Sequence, residues 1–193
     1  MYEIELKAHV YNREKVISKL NEIAIYGGHT EKSDTYYHLP KKDDYLSVRI
    51  RKESLLLNNE QTFTNYFTYK RKESFVSENG SMIEVNQENE FTMADSKPLE
   101  LLFKDLGGTV SLVKNKSADQ WSVMINGNNV HIELCNVPPL GDFLEIEILK
   151  EKNDDITVIE MKKIEENIFL ECGIQLSQIE NRYYSELLRE INK

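Results

Sequence analysis

Two Glu-x-Glu pairs stand far apart in this 193-residue chain: Glu3 and Glu5 in EIELK, Glu145 and Glu147 in FLEIEI. Carboxylates are hard oxygen donors, and pairs at i and i+2 on neighbouring strands can converge on one Mg²⁺ or Mn²⁺. Between them the sequence carries cations at the same spacing: Arg49 and Arg51, Lys70 and Lys72, Lys114 and Lys116, with Lys7 beside the first acidic pair. Such groups clamp phosphate oxygens. Acids for a metal together with several cations suit a metal-chelated polyphosphate. A protein of that kind stabilises the charge that develops in phosphoryl or nucleotidyl transfer. No P-loop and no kinase signature occurs, so the common nucleotide-binding folds are not expected.

These residues need strands to position them. In the first segment Glu3, Glu5 and Lys7 alternate with Ile4 and Leu6, the period-two pattern of a β-strand with one charged and one apolar face. The same alternation recurs in YLSVRIR, FTYKRK, VHIELC and FLEIEI; in VHIELC, His131, Glu133 and Cys135 share a face. Further strands are expected over EKSDTYYHL, SMIEVNQENEF, TVSLVKNKS and QWSVMIN. Asn126-Gly127 reads as a hairpin turn and SENGS as another turn. Helices are expected over YNREKVISKLNEIA, with Gly27-Gly28 as its stop, over SKPLELLFKDLGG, and over two closing segments, ITVIEMKKIEENIFLECG and NRYYSELLREI. Eight or nine strands with few helices predict an α+β domain dominated by an antiparallel sheet, closed or nearly closed into a barrel. No linker or internal repeat divides the chain, which predicts a single domain over 1–193.

Two arrangements fit the alternation. In an ordinary barrel the charges face water. In an inverted one they line a wet channel, and helices or a partner subunit cover the apolar faces. The sorting of sign favours the second: whole strand faces carry only acids or only cations. On a solvated surface, like charges so close repel each other. Where a ligand of opposite charge is gripped, they are expected.

The totals are consistent with a globular protein: 40% hydrophobic and 30% charged residues. A net charge of −9 argues against DNA or RNA as partner. No apolar run reaches the length of a membrane span, and the N-terminus enters a charged strand at once. With two cysteines, Cys135 and Cys172, too few for a disulfide framework, a reduced cytoplasmic protein without membrane attachment is expected.

The segment Glu3-Ile4-Glu5-Leu6-Lys7 resembles the ExExK signature of the CYTH family, also called triphosphate tunnel metalloenzymes. The resemblance runs nearly the whole chain. EKSDTYY is similar to the family's second-strand motif, LSVRIR to its paired-arginine strand, FTYKRK to its lysine strand, VKNK to its Lys-x-Arg strand, VPPLGDFLEIEI to its Leu-Gly-x-Phe-x-Glu-Ile-Glu segment and RYYSELL to its closing helix. The resemblance implies an antiparallel eight-stranded barrel, or tunnel, with a charged interior and flanking helices. It implies action on triphosphates with Mg²⁺ or Mn²⁺ and no nucleic-acid partner. It also implies a metal site on Glu3, Glu5 and Glu145, with Glu147 a further candidate by spacing. Phosphate binding falls to Lys7, Arg49, Arg51, Lys70, Lys114 and Lys116, and catalytic roles to Glu5, Lys7, Lys70 and Glu133. The LGDF segment looks most like the class IV adenylyl cyclases, which convert ATP to cyclic AMP and pyrophosphate and suggest a homodimer. Three positions depart from the pattern: Cys135 stands where Asp is usual, Lys116 where Arg is common, and Met82-Ile83-Glu84 where Arg-x-Glu is frequent. The rivals are a triphosphatase and a non-catalytic polyphosphate or nucleotide sensor.

Single residues have plainer readings too. Trp121 is expected to pack rather than to stack on a base, His29 and His38 to lie at the surface, and Asp34 to be either a site residue or a polar group at a strand edge, the second preferred. Tyr184 either packs in a core or reaches the site.

Overall fold

The computed structural model describes the backbone of residues 2–76, 82–151 and 154–191, and their side chains apart from those of 70–76 and 82–88. In chain order the described elements are β1 (Tyr2–His9), α1 (Arg13–Ile23), β2 (Ile25–Lys41), β3 (Asp44–Leu57), β4 (Glu60–Val76), β5 (Met82–Met93), α2 (Lys97–Asp105), β6 (Thr109–Ile125), β7 (Asn128–Val137), β8 (Gly141–Lys150), α3 (Asp155–Glu171) and α4 (Tyr184–Ile191), with a 3-10 turn at Leu176–Gln178 before α4. The strands form one antiparallel sheet in the order β1-β8-β7-β6-β2-β3-β4-β5. By internal packing the chain divides into two compact units. One comprises Met1–Glu31, Leu55–Gln61 and Lys116–Lys193, the other Lys32–Ser54 and Thr62–Asn115.

In the first unit, period-two alternation sorts the side chains. Ile4 and Ala8 of β1, Val130, Ile132 and Leu134 of β7, and Leu144, Ile146 and Ile148 of β8 share one core with Trp121. Helices cover that core. Val16 and Leu20, spaced four apart, come from α1, and Met161, Ile164, Ile168 and Phe169 from α3. Each such side chain, fully buried, contributes roughly 1.5–3 kcal/mol. Both helices start on a side-chain cap: Asn12 accepts from the Lys15 amide (3.0 Å) and Asp154 from the Thr157 amide (3.0 Å). The opposite strand face is the charged one. At one end of it α4 lays Tyr184 and Leu187 on Ala118, Cys135, Val137 and Phe143.

The second unit has its own core. Val48 and Ile50 of β3 pack with Tyr37 and Leu39 of β2, Phe67 and Tyr69 of β4, and Phe103 and Leu99 of α2.

Three expectations change. Gly27 and Gly28 lie within β2 instead of stopping α1, which ends at Ile23. Gly28 has φ 113° and its missing Cβ would meet the Leu56 carbonyl oxygen at 2.8 Å, so glycine is needed there for close approach of two strands. TVSLVKNKS and QWSVMIN are one continuous strand, β6. Among the described residues, hydrogen bonds do not close the sheet into a ring; β1 and β5 are its ends. Part of the outer edge of β1 is already used. Ala8 bridges Ile179, the Glu180 amide donates to the Lys7 carbonyl (2.8 Å), and the Gln178 side chain donates to the His9 carbonyl (2.8 Å). The Asn126-Gly127 turn forms as expected, with both residues at positive φ (51° and 76°). SENGS lies outside the described residues.

Candidate functional site

Register brings the acidic residues together. Glu5 lies opposite Glu147 and Lys7 opposite Glu145 across β1 and β8, and Glu133 lies opposite Glu145 across β7 and β8. Glu3 and Glu5 are exposed, Glu147 is half-buried, and Glu145 and Glu133 are buried. Glu5 is reached by solvent yet crowded by protein atoms. That crowding, with the charges of Glu145 and Glu3, pushes its carboxyl up to about 8. Neighbouring acids make the charge of Glu5 unfavourable, and a cation placed among them would favour it. The donor chemistry, all carboxylate oxygen, suits a hard divalent ion. As the side chains stand, no three His, Cys, Asp or Glu among the described residues converge on a point that could hold a metal. The arrangement around Glu145 shows why.

The ammonium of Lys116 sits between two of these acids, 2.5 Å from Glu145 Oε2 and 2.6 Å from Glu133 Oε2. Burial opposes its charge, but Glu145 and Glu133 hold it protonated well above the ordinary lysine range. In turn, burial works against the Glu145 carboxylate and Lys116 keeps it ionised. Glu133 Oε1 also accepts from Gln120 (2.7 Å) and lies 3.3 Å from His131 Nε2. The Tyr184 hydroxyl hydrogen-bonds Glu145 and lies 3.6 Å from Cys135 Sγ. Its ring lies under the Lys7 ammonium, 5.4 Å from the centroid, a cation–π contact. Tyr184 thus belongs both to a core and to the site. Burial, then Glu145, pushes the Cys135 thiol up to about 12, so it stays neutral and does not replace an aspartate's charge.

The second unit holds a separate cation group. Asp34, fully buried, accepts from Arg51 Nε and Nη2 at 2.7 and 3.0 Å; Lys114 Nζ stands 3.0 Å away and Arg49 Nη1 3.9 Å. Burial disfavours its charge, yet the Arg51 hydrogen bonds and the Lys114, Arg51 and Arg49 charges hold its carboxyl far below the usual range. Three like charges can lie this close only around an anion. Arg49 Nη2 donates to Thr68 (3.0 Å) and Glu90 (3.3 Å), while its buried Nε has no acceptor among the described residues. Asp34 is thus the organiser of the cations. Alternation places Lys32 and Asp34 on one face of β2, but nothing local to that strand shows that cations of β3 and β6 surround the acid. The side chains of Lys70 and Lys72 lie outside the described residues.

One constellation invites a different reading. His29 Nδ1 is 2.8 Å from Asp119, and its Nε2 is 3.2 Å from Ser117 Oγ. These are the distances of a Ser-His-Asp triad. Glu31 removes that role: it accepts from Ser117 at 2.9 Å and lies 3.1 Å from His29 Nε2. Partial burial opposes the charge on His29, but the hydrogen bonds and charges of Asp119 and Glu31 raise its pKa. His29 is therefore a structural bridge between β2 and β6, not a plain surface residue. Trp121 is buried and donates to Asn21 (2.9 Å), as a packing residue. It lines a recess of about 440 Å³ with Ile17, Asn21, Tyr26 and Asp119, on the helix-covered side rather than the acidic side.

Fold and site define an α+β protein that segregates acids and cations on strand faces. The chain belongs to the CYTH domain family, whose model matches residues 1–184. Members of that family process triphosphates. Among solved structures, PH1012 from Pyrococcus horikoshii OT3 is 31% identical with a TM-score of 0.68, covering 96% of this chain and 98% of its own. A candidate adenylate cyclase from Vibrio parahaemolyticus is 15% identical with a TM-score of 0.70, covering 98% of each chain. HpAC1 from Hippeastrum, a candidate adenylyl cyclase with a dominant triphosphatase activity, is 12% identical with a TM-score of 0.60, covering 97% of this chain and 94% of its own. No curated protein matches the sequence.

Proposed function

We propose that this chain, as a single CYTH domain, is a metal-dependent enzyme of class IV adenylyl cyclase type, converting ATP to cyclic AMP and pyrophosphate. The observation that carries the triphosphate reading is the Asp34 cluster: one buried lysine and two half-buried arginines held around one acid, with Arg49 Nε lacking an acceptor among the described residues. Arg49, Arg51 and Lys114 bind phosphate oxygens in this reading, as do Lys7, Lys70 and Lys116. Glu3, Glu5 and Glu145, with Glu147 beside them, would hold Mg²⁺ or Mn²⁺. When bound, such an ion polarises the phosphoryl group and neutralises developing charge. Glu133 holds Lys116 in position, and Tyr184 holds Glu145. Fixed donors cost no reorganisation as charge moves, which is how such a site accelerates transfer. The cyclase needs a ribose 3′-hydroxyl aligned on the α-phosphorus. Resemblance to the cyclases makes a cytoplasmic homodimer part of the same proposal; among the described residues no helix is long and apolar enough to cross a membrane.

A triphosphatase is the second reading, in which water attacks the terminal phosphorus. HpAC1, a candidate cyclase of this fold with a dominant triphosphatase activity, supports it, whereas neutral Cys135 at the usual aspartate position supports the non-catalytic sensor. Incubation of the protein with ATP, thiamine triphosphate and tripolyphosphate, each with Mg²⁺ and with Mn²⁺, decides. Cyclic AMP with pyrophosphate supports the cyclase. Released orthophosphate with no cyclic AMP supports the triphosphatase. Tight triphosphate binding without any product would identify a sensor and overturn both.

A further inference from the structure

Lys116 is a lysine with two possible employers. It lies on the charged face of β6, almost fully buried, and its ammonium is shared by Glu133 and Glu145. The two acids are not equivalent. Besides Lys116, Glu133 has Gln120 and His131, both on its Oε1, while Glu145 has the Tyr184 hydroxyl. On Glu145 it is Oε2 that Lys116 holds, and that carboxylate also repels Glu5. One ammonium therefore sits where a divalent ion bound to Glu3, Glu5 and Glu145 would need an oxygen. The charges are also out of balance. On this face of the first unit, Glu3, Glu5, Glu133, Glu145 and Glu147 are set against Lys7 and Lys116, so the acids outnumber the lysines by three. A lysine has a flexible four-carbon stem and a point charge, so it can leave one anion for another at little geometric cost; an arginine locked by a fork of hydrogen bonds cannot.

We infer that Lys116 and the divalent ion compete for the Glu145 carboxylate, so that metal arrival releases the Lys116 ammonium to bind phosphate. No covalent bond changes in this exchange; one ion pair is replaced by a metal–carboxylate contact and a lysine–phosphate contact. The inference rests on the metal and phosphate roles proposed above and adds an order to them: metal first primes the site for triphosphate. It also gives a use to lysine in place of arginine at this position.

The test is binding without turnover. Mn²⁺ affinity of the full-length protein and of Lys116→Met is measured by the electron paramagnetic resonance signal of free Mn²⁺, with no triphosphate present. The variant is expected to bind Mn²⁺ at least about tenfold more tightly, the lower end of what close buried charge pairs contribute. The same variant is expected to bind tripolyphosphate severalfold more weakly. A general structural defect would weaken both, so opposite signs are diagnostic. A second measurement needs no substitution. Acetylation of Lys116 by acetic anhydride, read by mass spectrometry against exposed Lys163, should rise severalfold when Mg²⁺ is added to the native protein. Equal or weaker Mn²⁺ binding by the variant, or Lys116 acetylation indifferent to Mg²⁺ in a protein that binds the ion, overturns the competition alone. If neither the native protein nor the variant binds Mn²⁺, the metal site itself is wrong, and this inference falls with it.

Discussion

At the scale of single residues, Asp34 determines more than its type suggests. It is one carboxylate among Arg49, Arg51 and Lys114, with no exposed surface. Removing one partner of a buried ionic group leaves the others uncompensated, at a cost of about 3–5 kcal/mol. Asp34→Asn keeps the shape and removes the charge. It should lower stability by about that amount in urea unfolding, and tripolyphosphate affinity should fall at least about tenfold, because three cations would no longer be held as a set. Unchanged affinity would mean that the cations hold their places without it. The sequence put Arg49 with Arg51 and Lys114 with Lys116 on shared strand faces, since alternation is a local property, but not the three around Asp34. It left Asp34 as structural because a single acid on a strand carries no local sign of what surrounds it. His29 was misplaced for the same reason: its partners, Asp119 and Ser117, are 90 and 88 residues away.

At the scale of elements, α3 carries an unresolved cost. Glu165 is fully buried beside Ile164 and Ile168, and neither of its carboxyl oxygens has a hydrogen-bond partner among the described residues. Burial first, and then the Glu5 charge, pushes it up to about 8. The folded state therefore holds a proton that the unfolded chain releases near the ordinary glutamate value of 4.5. Its contribution to stability is full below about pH 4.5, declines as pH rises, and is lost once pH passes about 8. Glu165→Gln should flatten that decline when urea midpoints at pH 5.5 and pH 8.5 are compared. Glu165→Met should stabilise the protein at pH 8.5 by about 1–3 kcal/mol, the ordinary cost of an unsatisfied buried polar group. Equal slopes for native protein and Gln variant would show that the carboxyl is solvated. The elements themselves were mostly legible. Helical spacing located α1, α2 and α3, and alternation located the strands. Boundaries were less so: Gly27-Gly28 mimic a helix stop, and only the nearby Leu56 carbonyl shows why glycine is there.

At the scale of the whole molecule, the sheet uses its faces in the reverse of the usual manner. Aliphatic faces of β1, β7 and β8 meet α1 and α3, and the charged faces lie opposite them. A substitution on each face tests this. Ile146→Ala should cost about 2–5 kcal/mol, as a core truncation. Glu3→Gln should shift stability by no more than about 0.5 kcal/mol and abolish metal-dependent turnover. Loss of folding in the Gln variant would make the acid face structural instead. The sequence by itself determined the strands, the pairing of like charges at i and i+2, and the family, because these follow from side-chain chemistry repeated along a short span of chain. Only the tertiary structure decided which acid meets which cation. Lys116 is bound by glutamates from β7 and β8, three cations are bound by Asp34, and Tyr184 returns from the last helix to Glu145. Coulomb energy depends on distance in space and on local solvation. Neither is written in sequence separation.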